Sequence, residues 1–152
     1  MAAALLVFAW GNPSRGDDAL GPRFVEALET LAAAHPQWPM FDCLTDFQLQ
    51  IEHALDLRHR RRVLFVDASI NCGAPYSVST ITAARDETFS SHALSPQTLL
   101  QVYRDIDGEQ PPPAELLAIR GRRFELGEGL SAEAQVHLAA ALAWTAEWLA
   151  RP

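Results

Sequence analysis

The sequence predicts a single-domain α/β sandwich over residues 1–152, three layers deep, with a mostly parallel five-stranded sheet and one antiparallel edge strand. Three observations predict it. Short apolar runs alternate with segments of helical periodicity along the whole chain. Two of those runs, ALLVFAW from Ala4 to Trp10 and VLFVDA from Val63 to Ala68, are almost continuously apolar, as strands covered on both faces must be. The stretch from Tyr76 to Ala83 alternates with polar residues instead, as in an edge strand with one face in water.

The elements follow in order. Ala4–Trp10 is the first strand, closed by Gly-Asn-Pro. From about Asp18 to Ala34 the residues Phe24, Val25, Leu28, Leu31 and Ala32 fall on one helical face, and Pro22 lies in the first turn, whose amides lack internal partners. His35-Pro36 closes that helix, and Met40–Leu44 forms a second, shorter strand. Gln48–Leu57 places Leu49, Ile51, Ala54 and Leu55 at spacings that suit another helix on the sheet. Val63–Ala68 is the third strand, ending on an Asp with the loop Asn71–Pro75 beyond it. After the edge strand, Ser95-Pro96 pairs an N-cap with Pro at the first helical position and opens a helix to about Ile106. Leu116–Arg120 is the last strand. Ser131 caps a final helix expected to dock Val136, Leu138, Leu142 and Leu149 on the sheet.

Composition narrows the function. A chain of 152 residues, 49% hydrophobic and 20% charged, can bury a core of its own. A net charge of −7 argues against nucleic-acid binding, which needs clustered Lys and Arg. The one basic run, Arg58-His59-Arg60-Arg61-Arg62, reads as a solvated loop before a strand rather than a polyanion site. Met1–Trp10 has no basic leader and is too short to span a bilayer, so neither export nor membrane insertion is expected. Cys43 and Cys72 form no CxxC pair, which points to reduced thiols in the cytoplasm rather than a thiolate zinc site. No GxGxxG, P-loop, HExxH or GxSxG pattern occurs.

Ligand sites in open α/β sheets lie beyond the carboxyl ends of the strands. Asp17 and Asp18 follow the first strand, Asp67 ends the third, and His92 lies between the fourth strand and the next helix. Right-handed crossovers can bring such positions to one rim. Two carboxylates and an imidazole suit a divalent metal of intermediate hardness, Ni²⁺, Zn²⁺ or Mn²⁺, with coordination positions left open. Each residue also has a plainer reading: Asp17 or Asp18 as a helix cap, Asp67 as a turn residue, His92 as a surface residue. Cys72 shares the rim and is the alternative nucleophile.

The stretches GNPSRGDDALG after the first strand, VLFVDA at the third, SSHALS ahead of a helix and FELGEGLS near the end together resemble the hydrogenase maturation endopeptidases, in the same order and over nearly the whole chain. Members of that family remove a C-terminal extension from the large subunit precursor of nickel-iron hydrogenases. The resemblance implies that Asp18, Asp67 and His92 contact the metal and carry catalysis. Asp17 is left to hold the loop or cap the helix. It further implies nickel presented by the substrate, with zinc or another divalent metal as the alternative, and the precursor as partner. Two departures stand out: Ala19 replaces the Gly that many members have after the paired acids, and FDCLTDFQLQIEHALDL lacks the Gly-rich DGGT form. That second segment resembles the variant associated with bidirectional or NAD-linked hydrogenases and is expected to bear on which hydrogenase is served. A noncatalytic nickel-binding assembly protein on the same fold is the competing reading.

Overall fold

The computed structural model describes residues 2–85 and 94–152. Five strands, β1 (Leu5–Trp10), β2 (Phe41–Asp46), β3 (Arg62–Ser69), β4 (Tyr76–Ile81) and β5 (Ala114–Arg120), form one sheet in the order β2-β1-β3-β5-β4. All neighbours are parallel except β4, which runs antiparallel to β5 at the edge. The expected architecture and the expected edge strand are both present.

Alternation within each strand sends side chains to opposite layers. On one face Val7, Ala9, Leu64, Val66, Leu117 and Ile119 pack under helices α1 (Leu20–Ala34) and α3 (Ala132–Ala150). On the other, Phe8, Trp10 and Phe65 meet helix α2 (Pro96–Asp107) through Leu99, Leu100 and Tyr103. Ser95 caps α2 by accepting from the Thr98 amide at 3.1 Å, and Ser131 caps α3 by accepting from Ala134 at 3.1 Å. Both caps match the sequence reading.

Three local expectations are corrected. The segment read as a helix from Gln48 to Leu57 is a run of 3-10 turns from Ile51 to Leu57. At three residues per turn, Ala54 and Leu57 share a face and are buried, Leu55 is rotated off it at 50% exposure, and Ile51, at the open first position of the run, is 61% exposed. In α3 the stripe facing the sheet runs Ala134, Leu138, Ala141, Thr145, Trp148, so Val136 lies off it at 68% exposure. The basic run is a solvated loop only in part: Arg58, His59 and Arg61 are exposed, but three of its arginines have fixed partners. Arg58 grips Asp107 with two nitrogens at 2.9 and 2.7 Å, and Arg60, its side chain largely covered, pairs with Asp42 and donates to Ala3 O at 2.7 Å. The guanidinium carbon of Arg62 lies 4.4 Å from the Trp148 ring centre.

The passage from β1 into α1 fixes one side of the rim. The end of β1 lies so close to α1 that a Cβ on Gly21 would sit 2.2 Å from the Trp10 carbonyl oxygen. Because both atoms are backbone, neither yields by changing rotamer. Gly21→Ala is expected to lower stability by about 2–3 kcal/mol in urea unfolding.

Candidate functional site

Between β1 and α1 the chain makes a 3-10 turn, Gly16–Ala19, that carries both acids of the first motif. Neither acid caps a helix: the N-caps of the turn and of α1 have no side-chain hydrogen bond. Ala19 is buried with φ −70° and ψ −6°, a conformation open to any residue, so the Gly usual there is not required.

Asp17 is 1% exposed. Its Oδ2 accepts from the Arg122 and Arg123 amides at 2.7 and 3.2 Å and from the Ser131 hydroxyl at 2.8 Å, while Oδ1 accepts from the Ser131 amide at 2.7 Å. Burial acts to raise its pKa, but the donors from Ser131, Arg122 and Arg123 together outweigh it and hold the carboxyl below its ordinary value. Asp17 thus ties the first motif to the loop between β5 and α3, and Ser131 at once caps α3 and donates to Asp17.

Asp18 faces the other way and is half-buried. Its Oδ2 accepts from the Asn12 amide at 2.7 Å, and among the described residues Oδ1 has no hydrogen bond. Gly11 permits this arrangement: its φ is +151°, and a Cβ there would lie 2.0 Å from the Asp18 carbonyl oxygen.

Asp67 lies near the end of β3, on the same face as Phe65 and Trp10. Burial, with the neighbouring charge of Asp18 second, pushes its pKa up to about 7; the Ala68 amide and the Trp10 indole act in the opposite sense. The structure therefore brings Asp18 and Asp67 into electrostatic contact at the carboxyl ends of β1 and β3. His92, the third residue of the expected trio, lies outside the described residues.

A carboxyl that resists ionisation through burial first and the charge of a second carboxylate next is one that a dication would relieve. The carboxylate oxygens of Asp18 and Asp67 fit a divalent metal on that ground. Asp18 and Asp67 are the described residues that would hold it, and among the described residues no cluster of three such donors occurs.

A raised pKa has a defined consequence for stability. Asp67 favours its protonated form in the fold, so its contribution is fully present below the ordinary 3.8 and is lost as pH rises through about 7. Unfolding measured from pH 4 to 8 should show this decline in the parent and a smaller one in Asp67→Asn.

Sequence reasoning missed a third rim carboxylate. Asp46 ends β2, its carbonyl accepts from the Gly11 amide at 3.0 Å, and its Oδ2 lies 3.2 Å from His53 Nε2. His53 Nδ1 accepts from the Gln50 amide at 2.8 Å, which places the ring proton on Nε2, facing Asp46. This clip fixes the segment after β2 against the rim; a strand ending in Asp, with His seven residues on, was the available signal. Cys72 is not poised as a nucleophile. Its thiol is engaged with backbone carbonyls, the sulfur lying 3.5 Å from the Ala118 oxygen and 3.9 Å from that of Ser69. Burial, with the charges of Glu29 and Asp42, pushes the Cys43 thiol up to about 12.

No family model and no curated protein matches the chain. Solved structures do. The hydrogenase maturating endopeptidase HybD from E. coli is 24% identical, with 95% of this chain and 90% of that one covered at a TM-score of 0.70. The fold is that of the hydrogenase maturation proteases. The [NiFe] hydrogenase maturation protease HycI from Thermococcus kodakarensis superposes with a TM-score of 0.72 at 20% identity over 98% and 94% of the two chains. A hydrogenase 2 maturation peptidase from a Thaumarchaeota archaeon gives 0.66 at 24% identity over 96% and 97%. The maturation-protease fold thus spans nearly the whole chain, as the four sequence stretches implied.

Proposed function

We propose that the protein is an endopeptidase that removes the C-terminal extension of a nickel-iron hydrogenase large subunit precursor after nickel has been inserted. One observation supports this reading: Asp18 and Asp67, 49 positions apart in sequence, lie at the carboxyl ends of β1 and β3 in a maturation-protease fold, where Asp67 feels the charge of Asp18. The motif resemblance of the sequence supports it independently.

In this reading the nickel belongs to the substrate. Asp18 and Asp67, with His92, contact it at the immature active site and so hold the adjoining C-terminal segment across the rim. Nickel or a divalent surrogate at that position supplies a Lewis acid for the scissile carbonyl or a bound water. The chain's own part is positioning and proton handling. A carboxylate such as Asp18 or Asp67 serves as the general base. A carboxylate oxygen not engaged with the metal takes the proton of the attacking water, and the same proton goes to the departing amide nitrogen.

Asp17 takes no part in this chemistry, since all four of its hydrogen bonds run to the loop between β5 and α3. The reading places the protein with its precursor in the cytoplasm, and no helix among the described residues is long and apolar enough to cross a membrane. Intact-mass analysis of nickel-loaded precursor mixed with the protein tests it. Loss of the mass of the C-terminal extension is expected; a stable complex without mass loss would favour a noncatalytic assembly protein instead.

A further inference from the structure

A cavity of about 490 Å³ opens beside the rim, lined by Ile70, Ala74, Arg120, Arg122, Glu133 and His137. It adjoins the Asp17 network through Gly121, where a Cβ would sit 3.0 Å from the Asp17 Cβ. Its charge runs against that of the molecule. Two arginines and one glutamate line it, in a chain whose net charge is −7.

The polar groups are also held in place. Arg120 Nη1 donates to the Cys72 carbonyl at 2.6 Å, and Arg122 Nη1 donates to Glu133 at 2.6 Å. His137 Nδ1 lies 2.8 Å from the Arg120 carbonyl oxygen, an acceptor, so the proton sits on Nδ1. Each guanidinium has further N–H groups beyond the one so engaged. Ile70 and Ala74 add an apolar wall, with Ile70 52% exposed. Donors anchored in advance, a net positive charge and an apolar side fit a carboxylate carried on a short apolar peptide better than a free inorganic anion.

We propose that this cavity binds a peptide carboxylate and, on the protease reading above, anchors the substrate segment that crosses the rim. The sheet register sets the reach. Asp67 pairs with Ala118 and Ser69 with Arg120, so Arg120 lies two residues beyond the level of Asp67. That is roughly 7 Å along the strand, a span that a few substrate residues bridge. The carboxylate comes from an acidic side chain or from the chain terminus.

The test uses three probes in NMR titrations: N-acetyl-alanyl-leucine, its C-terminal amide, and N-acetyl-aspartyl-leucine amide. The first or the third is expected to shift the amides of Gly121, Arg122 and His137 to saturation, the terminal-acid arm and the side-chain arm telling the two sources apart. The uncharged amide is expected to leave them in place. Arg122 is exposed, and Arg122→Gln should fold normally and bind about tenfold more weakly. Equal shifts from the uncharged amide, no localised shifts from either acid, or unchanged binding in Arg122→Gln would each overturn the proposal. Because the readout involves no cleavage, the two readings fail separately. A protein that binds the acid without cutting precursor keeps the cavity and loses the protease, and one that cuts but ignores both acids does the reverse.

Discussion

Asp67→Asn and Asp18→Asn are each expected to slow processing of nickel-loaded precursor by about a hundredfold or more, because each removes both an anionic metal contact and a carboxylate able to accept a proton. Misfolding does not account for such a loss. Asp67 resists ionisation in the fold, with burial and the charge of Asp18 pushing its pKa to about 7, so a neutral amide suits its surroundings at least as well as the charged form. Asp67→Asn should therefore match or exceed the parent in stability at pH 8 while being nearly inactive. Asp18→Asn keeps an acceptor for the Asn12 amide, which the parent engages at 2.7 Å, and removes the charge that Asp67 feels. In that variant the Asp67 pKa should fall. Processing rates followed by intact mass, beside urea unfolding of the same samples, separate chemistry from folding.

Asp17→Ala is expected to behave in the opposite way, with stability lost first. It strips the acceptor from three buried or partly buried amides, of Arg122, Arg123 and Ser131, and from the Ser131 hydroxyl. Unmade hydrogen bonds of this kind cost about 1–3 kcal/mol each and are not additive, so a loss of about 3–5 kcal/mol is expected in urea unfolding. Asp17→Asn should recover part of it, because its carbonyl still accepts while its amide group faces N–H donors. The pH dependence has a definite sign. The Asp17 carboxyl is held below its ordinary 3.8, so its contribution is present above that value and is lost as pH falls through the lowered pKa. Asp17→Ala should accordingly flatten the acid limb of the stability curve, while Asp67→Asn changes the neutral limb.

What could be read from the sequence depended on how far apart the interacting residues are. β1 and β3 were legible because a strand buried on both faces needs only its own apolar run, and β4 because its polar alternation is local. Asp18 and Asp67 were legible because strand ends in an open α/β sheet converge without any knowledge of side-chain contacts. The role of Asp17 was only half visible. Its acidity was clear beside Asp18, but its partner Ser131 lies 114 residues away, and nothing local joins the two. The same holds for Arg58, whose partner Asp107 is 49 residues on, and for Arg60, which reaches back to Ala3. The segment from Gln48 failed for a different reason. Four apolar residues at mixed spacings of two, three and one satisfy helical periodicity loosely; Leu49 and Ala54 are buried as expected, and the tighter 3-10 geometry pairs Ala54 with Leu57 rather than with Ile51 and Leu55.

Whether Asp18 and Asp67 face one metal is decided by anomalous scattering from crystals soaked in nickel or cadmium. One peak is expected at about 2.2 Å from a carboxylate oxygen of each residue, with His92 completing the set. A peak held by other residues, or Asp18 and Asp67 carboxylates directed apart with no density between them, would contradict this expectation.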